Sequence, residues 1–266
     1  MDRWPLVSII TIVYNGEKHI EDAIRSVQRQ NYPNLQYIIV DGGSTDNTLR
    51  IVQRFRDTVT DLISEKDEGI SDAFNKGLQR AKGEIVGMIN ADDWYADGAI
   101  EKAVRAMEGY DVVYGDLQLW RDGQPDFIFT GDHSRLRQEM RINHPTVFVR
   151  KNCYDRFGLF DKQYKCAMDY DLLLRLMING CRFNHISEVL ANMRWDGLSD
   201  TRWLLGCRET LSIKNRHLPK RKILHRLYFY KHILAISAPK LMKKSGLGFL
   251  IRTYRSNFAK VKKGHQ

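Results

Sequence analysis

Apolar and polar positions follow two rhythms along the first hundred residues. Leu6 to Val13, LVSIITIV, is a β-branched run of strand length. Residues 17–30 then place Ile20, Ile24 and Val27 at helical spacing, after a loop holding Asn15 and Gly16. The cycle repeats with a strand over 35–40, the turn DGGSTD, and a helix over 47–55 with Asp46 as its cap. A short strand over 61–64, a helix over 70–81 and a strand over 84–90 follow. This alternation predicts an α/β fold: a parallel sheet with helices on both faces.

The next hundred residues are less regular. Residues 111–120 and 124–129, on either side of an Asp-Gly turn, predict a hairpin. A strand is expected over 144–150, a helix over 166–180 ending at Gly180, a strand over 188–195 and a helix over 200–216. Beyond Pro219 the helices read as basic and amphipathic.

Charge divides the chain more sharply than periodicity does. Glu209 is the last acid, and residues 210–266 hold 15 Lys and Arg. Of 42 bases, 27 therefore stand in the preceding part against all 32 acids, a net of −5 there despite +10 for the whole. A mildly acidic body with a strongly basic tail points to an anionic partner for the tail, membrane surface or nucleic acid. No apolar stretch approaches the roughly 20 residues of a membrane span, and no signal-peptide pattern opens the chain. The four cysteines form no CxxC pair and read as reduced thiols of a cytoplasmic protein.

Ligands of open α/β sheets bind outside the carboxyl ends of the strands. Three such ends carry polar clusters: Tyr14-Asn15-Gly16, Asp41-Gly42-Gly43-Ser44, and Asp92-Asp93 shortly after Asn90. Each alone reads as a solvated turn, because Asp and Gly are common in turns. Acids converging from separate strands are a stronger signal. Asn90-x-Asp92 with Asp93 suits a divalent cation, Mg²⁺ or Mn²⁺, with water and substrate phosphates as the remaining ligands. Such a cation would offset charge on a diphosphate leaving group. There is no GxxxxGK[ST] loop, which excludes a P-loop.

A candidate general base comes from the helix over 166–180. Asp169 shares a stripe with Leu172, Leu173 and Leu176, so it is expected to face the protein. Asp171 has Arg175 one turn on and reads as a surface ion pair. His144 opens the strand after Asn143, where a lone histidine is more often structural than functional. Trp195 and Trp203 flank DGLSD and suit either an aromatic wall for a sugar or core packing.

The stretch from Ser8 to Thr48 and the stretch DEGISDAFNKGLQRAKGEIVGMINADDW together resemble the inverting family 2 glycosyltransferases, over roughly residues 6 to 216. The resemblance implies the GT-A fold, with a nucleotide-sugar half over about 1–117, an acceptor half over about 118–216, and residues 217–266 as a basic helical appendage. It implies that Asp41 hydrogen-bonds the nucleotide base and that Thr11, Val13 and Asn15 border the nucleoside. Asp92 would bind the metal with Asp93 in support, and the DxD motif reads Asn90-Ala91-Asp92, an amide replacing the first acid. Met168-Asp169 stands at the place of the base motif, and His144 near the donor phosphates or the acceptor. The implied activity is that of a bacterial hexosyl- or N-acetylhexosaminyltransferase acting on a UDP-sugar. The tail's mixture of bases, aromatics and aliphatics fits a helix lying on anionic lipid at the inner face of the membrane, with a lipid-linked saccharide as acceptor. A nucleotidyltransferase would need a more basic loop after the first strand than YNGEKHI. A nucleic-acid-binding protein would leave Asp41, Asp92 and Asp169 unexplained.

Overall fold

The structure, a computed structural model, describes residues 4–195 and 202–244. By compactness the chain divides into residues 1–198 and 199–266.

The first unit is built on one mixed sheet. Strands β1 (Val7–Val13), β2 (Leu35–Asp41), β3 (Asp61–Ser64) and β4 (Ile85–Asn90) run parallel in the spatial order β3-β2-β1-β4. Helices α1 (Ile20–Gln28), α2 (Thr48–Gln53) and α3 (Ile70–Arg80) connect them. The β-branched runs are explained by burial: Ile9, Ile10, Ile38 and Ile39 have no exposed surface, as strands covered on both faces require. On α3, a Cβ at Gly77 would come within 2.5 Å of the Ile10 side chain, so the glycine lets helix and sheet approach closely. The cap residue of α2 is Asn47 rather than Asp46, which stands one residue earlier and accepts the Thr48 amide at 2.9 Å.

Beyond β4 the sheet continues as β8-β6-β9-β5. The short β5 (Trp94–Tyr95) pairs with the end of β9 (Phe183–Arg194), and β6 (Val112–Arg121) carries the hairpin partner β7 (Gln124–Phe129). The hairpin turns at Asp122 and Gly123, with φ of 50° and 75°, the left-handed pair that an Asp-Gly turn supplies. Strand β8 (Val147–Arg150) runs antiparallel between β4 and β6, so the parallel sheet expected of the first hundred residues is joined to a mixed half. The strand expected over 144–150 is shorter: His144–Thr146 form a 3-10 turn, with Pro145 inside it. Two helices without a clear sequence signal complete the unit, α4 (Ala99–Ala106) and α5 (Lys151–Phe157), and α6 (Met168–Ile178) ends before Gly180 at φ 85°.

In the second unit α7 (Trp203–His217) packs on α8 (Lys222–Lys244). The Lys214 ammonium lies 4.1 Å from the centroid of the Tyr228 ring. Ile223, Leu224, Leu227, Tyr230 and Leu234, spaced for one helical face, are each 61–77% exposed.

Candidate active site

The ends of β2, β1 and β4 lie side by side, and the connections change direction at β1, where open α/β sheets form their crevice. The loops after β1 and β2 are laced together there. Asn15, at φ 49°, donates its amide to Ser44 Oγ at 2.8 Å and accepts the Thr45 amide on Oδ1 at 2.9 Å. The Gly16 amide donates to Thr48 Oγ1 at 2.9 Å, and Glu17 accepts both the backbone and side-chain N–H of Asn47. Gly42 is a close-approach position: a Cβ there would sit 2.4 Å from Asp67 Oδ2. The DGGS segment is therefore a braced rim rather than a loose solvated turn.

Asp41 braces that rim from inside. Its carboxylate is fully buried and accepts the amides of Gly43 and Ser44 at 3.2 Å and Ser64 Oγ at 2.8 Å. Expected on a nucleotide base, its carboxylate is taken up by these hydrogen bonds, which shape the turn. Thr11 and Val13 also depart from expectation. Thr11 has no exposed surface and its hydroxyl meets Tyr37 Oη at 3.0 Å, while Val13 is buried against Gly16. A parallel strand covered on both faces offers a ligand only its carboxyl end, so of the three residues named on β1 and its loop only Asn15 is exposed. Asp67, brought against Gly42 by the β3–α3 loop, is a rim residue that sequence reasoning missed.

The acid pair after β4 is divided between inside and outside. Asp92 is half-buried, whereas Asp93 is 1% exposed. Asp93 Oδ2 accepts from the Asn90 side chain at 3.1 Å, and its Oδ1 has no hydrogen-bond partner among the described residues. Burial, and next the charge of Asp92, hold the Asp93 carboxyl well above the usual carboxylate range. Asp93 is expected to support Asp92 at the metal. The turn points it inward, and it supports the motif from beneath.

This donor set fits a divalent cation that takes most of its ligands from elsewhere. Among the described residues no three His, Cys, Asp or Glu side chains cluster as a metal cage. Asp92 supplies one hard carboxylate at the strand end, and Asp93, buried and favoured in its neutral form, adds no second charge beside it. One carboxylate plus substrate phosphates and water is how Mg²⁺ is commonly held. Arg194, at the end of β9, ties the region together: it donates to the Asp92 carbonyl and to Asp22, and its guanidinium lies 4.5 Å from the Trp94 ring centroid. Its partners are about 100 and 170 residues away in the chain, beyond any local sequence pattern.

On α6 the two acids exchange the environments expected of them. Asp171 is 1% exposed and pairs with Arg175 at 3.1 Å, and Arg175 also donates to the carbonyls of Phe157, Gly158 and Leu159. Asp169 is only half-buried and accepts the Tyr170 amide at 2.7 Å. The stripe argument fails because α6 is buried almost all round, from Met168 and Tyr170 through Leu172, Leu173, Leu174 and Leu176, so no apolar face distinguishes inside from outside. Asp169 is thus the less buried of the two acids, and Asp171 belongs to the framework.

His144 packs against Phe74 and Phe160, with ring centroids 5.1 and 5.8 Å away, and burial pushes its imidazole down to about 4. It is neutral near pH 7 and serves the aromatic packing. Trp195 is 41% exposed, with the Arg121 guanidinium 4.6 Å from its ring centroid, and Trp203 lies in the second unit.

Comparison with known proteins gives a consistent result. The sequence pattern described as "Glycosyl transferase family 2" matches residues 8–168. An uncharacterized glycosyltransferase of Haemophilus influenzae is 31% identical over 74% of this chain and 68% of its own. A "PGL/p-HBAD biosynthesis glycosyltransferase" of Mycobacterium tuberculosis is 29% identical over 74% of this chain and 80% of its own. An uncharacterized glycosyltransferase of Rickettsia typhi is 30% identical over 71% of this chain, and the match spans only 64% of that relative's length. Among solved structures, the Pyrobaculum calidifontis mannosyltransferase PcManGT in complex with GDP-Man and Mn²⁺ has a TM-score of 0.67 at 19% identity, covering 96% of this chain and 81% of that one. Staphylococcus aureus TarS in complex with UDP-GlcNAc has a TM-score of 0.63 at 20% identity, covering 78% and 66%. At such identities these structures speak for the fold, which is GT-A.

Proposed function

We propose, for a chain that belongs to glycosyl transferase family 2, that it transfers a sugar from a nucleoside diphosphate sugar to a hydroxyl of a saccharide, with inversion. The observation that carries this reading is the half-exposed Asp92 at the end of β4 beside the laced loops of β1 and β2, on three adjacent parallel strand ends. The nucleoside would rest on the rim braced by Asp41, with Asn15 and Asp67 at its edge. Asp92 would hold Mg²⁺ or Mn²⁺, which when bound offsets the charge of the departing diphosphate. Asp169 takes the proton of the acceptor hydroxyl as that oxygen attacks the anomeric carbon. One displacement inverts the configuration, and no covalent intermediate on the protein is needed. PcManGT carries GDP-Man with Mn²⁺ and TarS carries UDP-GlcNAc, which supports a nucleotide-sugar donor without choosing between the two nucleotides.

The test is thermal unfolding with a panel of UDP- and GDP-sugars, each with and without Mn²⁺. A ligand at 100 times its Kd stabilises the folded state by about 2.7 kcal/mol, so one donor with Mn²⁺ is expected to raise Tm by several degrees. Stabilisation by single-stranded or duplex nucleic acid, with none by any nucleotide sugar, would overturn the reading in favour of a nucleic-acid-binding protein.

The basic second unit supports a membrane location for the acceptor. Among the described residues no helix is long and apolar enough to cross a membrane. The exposed apolar face of α8 is flanked by Arg221, Lys222, Arg226 and Lys231, a pattern suited to an interfacial helix on anionic lipid at the cytoplasmic face. Each base near such a surface contributes on the order of 1 kcal/mol, a term that salt screens, while apolar burial is unscreened. Full-length protein is expected to co-sediment with vesicles containing phosphatidylserine and to do so less at high salt. Leu224→Gln with Leu227→Gln is expected to abolish most of the salt-resistant fraction. Equal sedimentation with neutral vesicles, or no effect of the double substitution, would leave α8 without a lipid role.

A further inference from the structure

A cleft of about 430 Å³ opens beside the acid turn, between the start of α1 and the β6–β7 hairpin. Lys18, His19, Trp94, Trp120, Asp122 and Arg194 line it. None of these side chains takes part in the lacing of the β1 and β2 loops, and the donor reading makes no use of them.

The chemistry of the lining is mixed in a particular way. The indoles of Trp94 and Trp120 stand 5.4 Å apart between centroids and tilted by 55°. The Trp120 N–H is already satisfied by Asn192 Oδ1 at 2.8 Å, so its ring offers the cleft an apolar surface with no unmet donor. Lys18 has no ion-pair partner among the described residues and remains available as a donor. Arg194 has five N–H groups, of which two nitrogens serve the Asp92 carbonyl and Asp22. Asp122, at the exposed tip of the hairpin, can only accept when ionised. Burial, then Arg194 and Lys18, hold the His19 imidazole below its ordinary range, so it adds hydrogen bonding more than charge.

A phosphate site needs donors alone, and here Asp122 would repel the anion while Asp22 offsets Arg194. An apolar ligand would leave Lys18 and Asp122 without partners. A sugar ring meets every requirement. Its hydroxyls both donate and accept, matching Lys18, Arg194 and Asp122 together. Its C–H face is apolar and matches an indole. The volume is in the range of small-ligand clefts, roughly 300–1,000 Å³, and is enough for a short stretch of saccharide.

We infer that this cleft is a saccharide subsite, holding a pyranose unit of the acceptor against Trp120 with its hydroxyls shared between Lys18, Arg194 and Asp122. The acceptor assignment rests on the glycosyltransferase reading above; saccharide binding by the cleft does not. Arg194 links the two, since the same guanidinium lines the cleft and holds the carbonyl of Asp92, so an occupied cleft would bear directly on the acid turn.

The experiment is a tryptophan-fluorescence titration of the full-length protein with chitotetraose and mannotetraose, and with inorganic phosphate as the anion control. Each titration is repeated with saturating UDP or GDP and Mn²⁺. At least one tetrasaccharide is expected to bind with millimolar Kd and to be undisturbed by nucleotide. Trp120→Ala is expected to weaken it on the order of tenfold. Asp122→Asn, which keeps a residue tolerant of the left-handed turn, is expected to weaken it roughly threefold and to leave nucleotide binding unchanged. Absence of saccharide binding, displacement by nucleotide with Mn²⁺, or equal affinity in both variants would overturn the proposal. So would phosphate binding that replaces saccharide binding. Saccharide binding that persists while wild-type protein binds neither UDP nor GDP would support the cleft and sink the donor reading instead.

Discussion

Asp92→Asn is expected to give a folded protein that has lost nearly all transfer. Asp92 is half-buried at the end of β4, and the contact that fixes its position is made by its backbone carbonyl to Arg194, which the substitution preserves. Loss of fold is therefore a small effect, within about 0.5 kcal/mol for a change away from buried partners. What changes is the anionic oxygen offered to a divalent cation. A metal at the diphosphate stabilises the transition state by several kcal/mol, and losing about 4 kcal/mol lowers the rate roughly a thousandfold. Asp93→Asn is the informative companion. Asp93 is buried, is favoured in its neutral form and uses Oδ2 as an acceptor for Asn90, all of which the amide oxygen reproduces. It is expected to retain most activity. The measurements are transfer rate, Mn²⁺ binding by the protein and unfolding temperature for both variants. Wild-type turnover unchanged in EDTA, or a larger loss from Asp93→Asn than from Asp92→Asn, would remove the role given to Asp92.

The parallel half of the sheet is legible in the sequence because strands buried on both faces read as largely apolar runs rich in Val and Ile, and β1, β2 and β4 each contain such a run. The hairpin is legible because Asp122-Gly123 can adopt two consecutive left-handed conformations. What escapes is set by distance or by burial. The antiparallel insertion of β8 depends on pairing with β4 and β6, which no window of sequence contains. Arg194 joins the site only through carbonyl and carboxylate partners far along the chain. Thr11 and Val13 occupy the right strand but both are buried, and the first exposed residue after them is Tyr14, just past the strand's end. On α6 the periodicity argument needs one dry face and one wet face, and the helix has almost no wet face. The stripe argument therefore gives no ground for choosing Asp169 over Asp171; their burial, which does separate them, is set by packing that the local sequence does not show.

That difference makes the base the sharpest test. Asp169 and Asp171 lie two residues apart at the start of α6, yet one is half-buried and the other wholly buried in an ion pair. Asp169→Asn keeps the size and the hydrogen bond to the Tyr170 amide, since an amide oxygen also accepts. It removes the negative charge and with it the ability to take a proton. Turnover is expected to fall roughly 10²–10⁴-fold while donor binding and stability hold, because base catalysis contributes about that much. Asp171→Asn should do the reverse. It leaves the Arg175 guanidinium among the carbonyls of Phe157, Gly158 and Leu159 without its carboxylate, in a place where Asp171 is almost wholly buried. Breaking a buried pair from one side costs about 3–5 kcal/mol, so unfolding should shift markedly while the activity of the protein that remains folded changes little. Both variants are read by donor affinity, single-turnover transfer and thermal unfolding. A fall in turnover that follows Asp171 rather than Asp169, or an Asp169→Asn protein that no longer binds the donor, would move the base off Asp169 and make its half-exposed position a structural one.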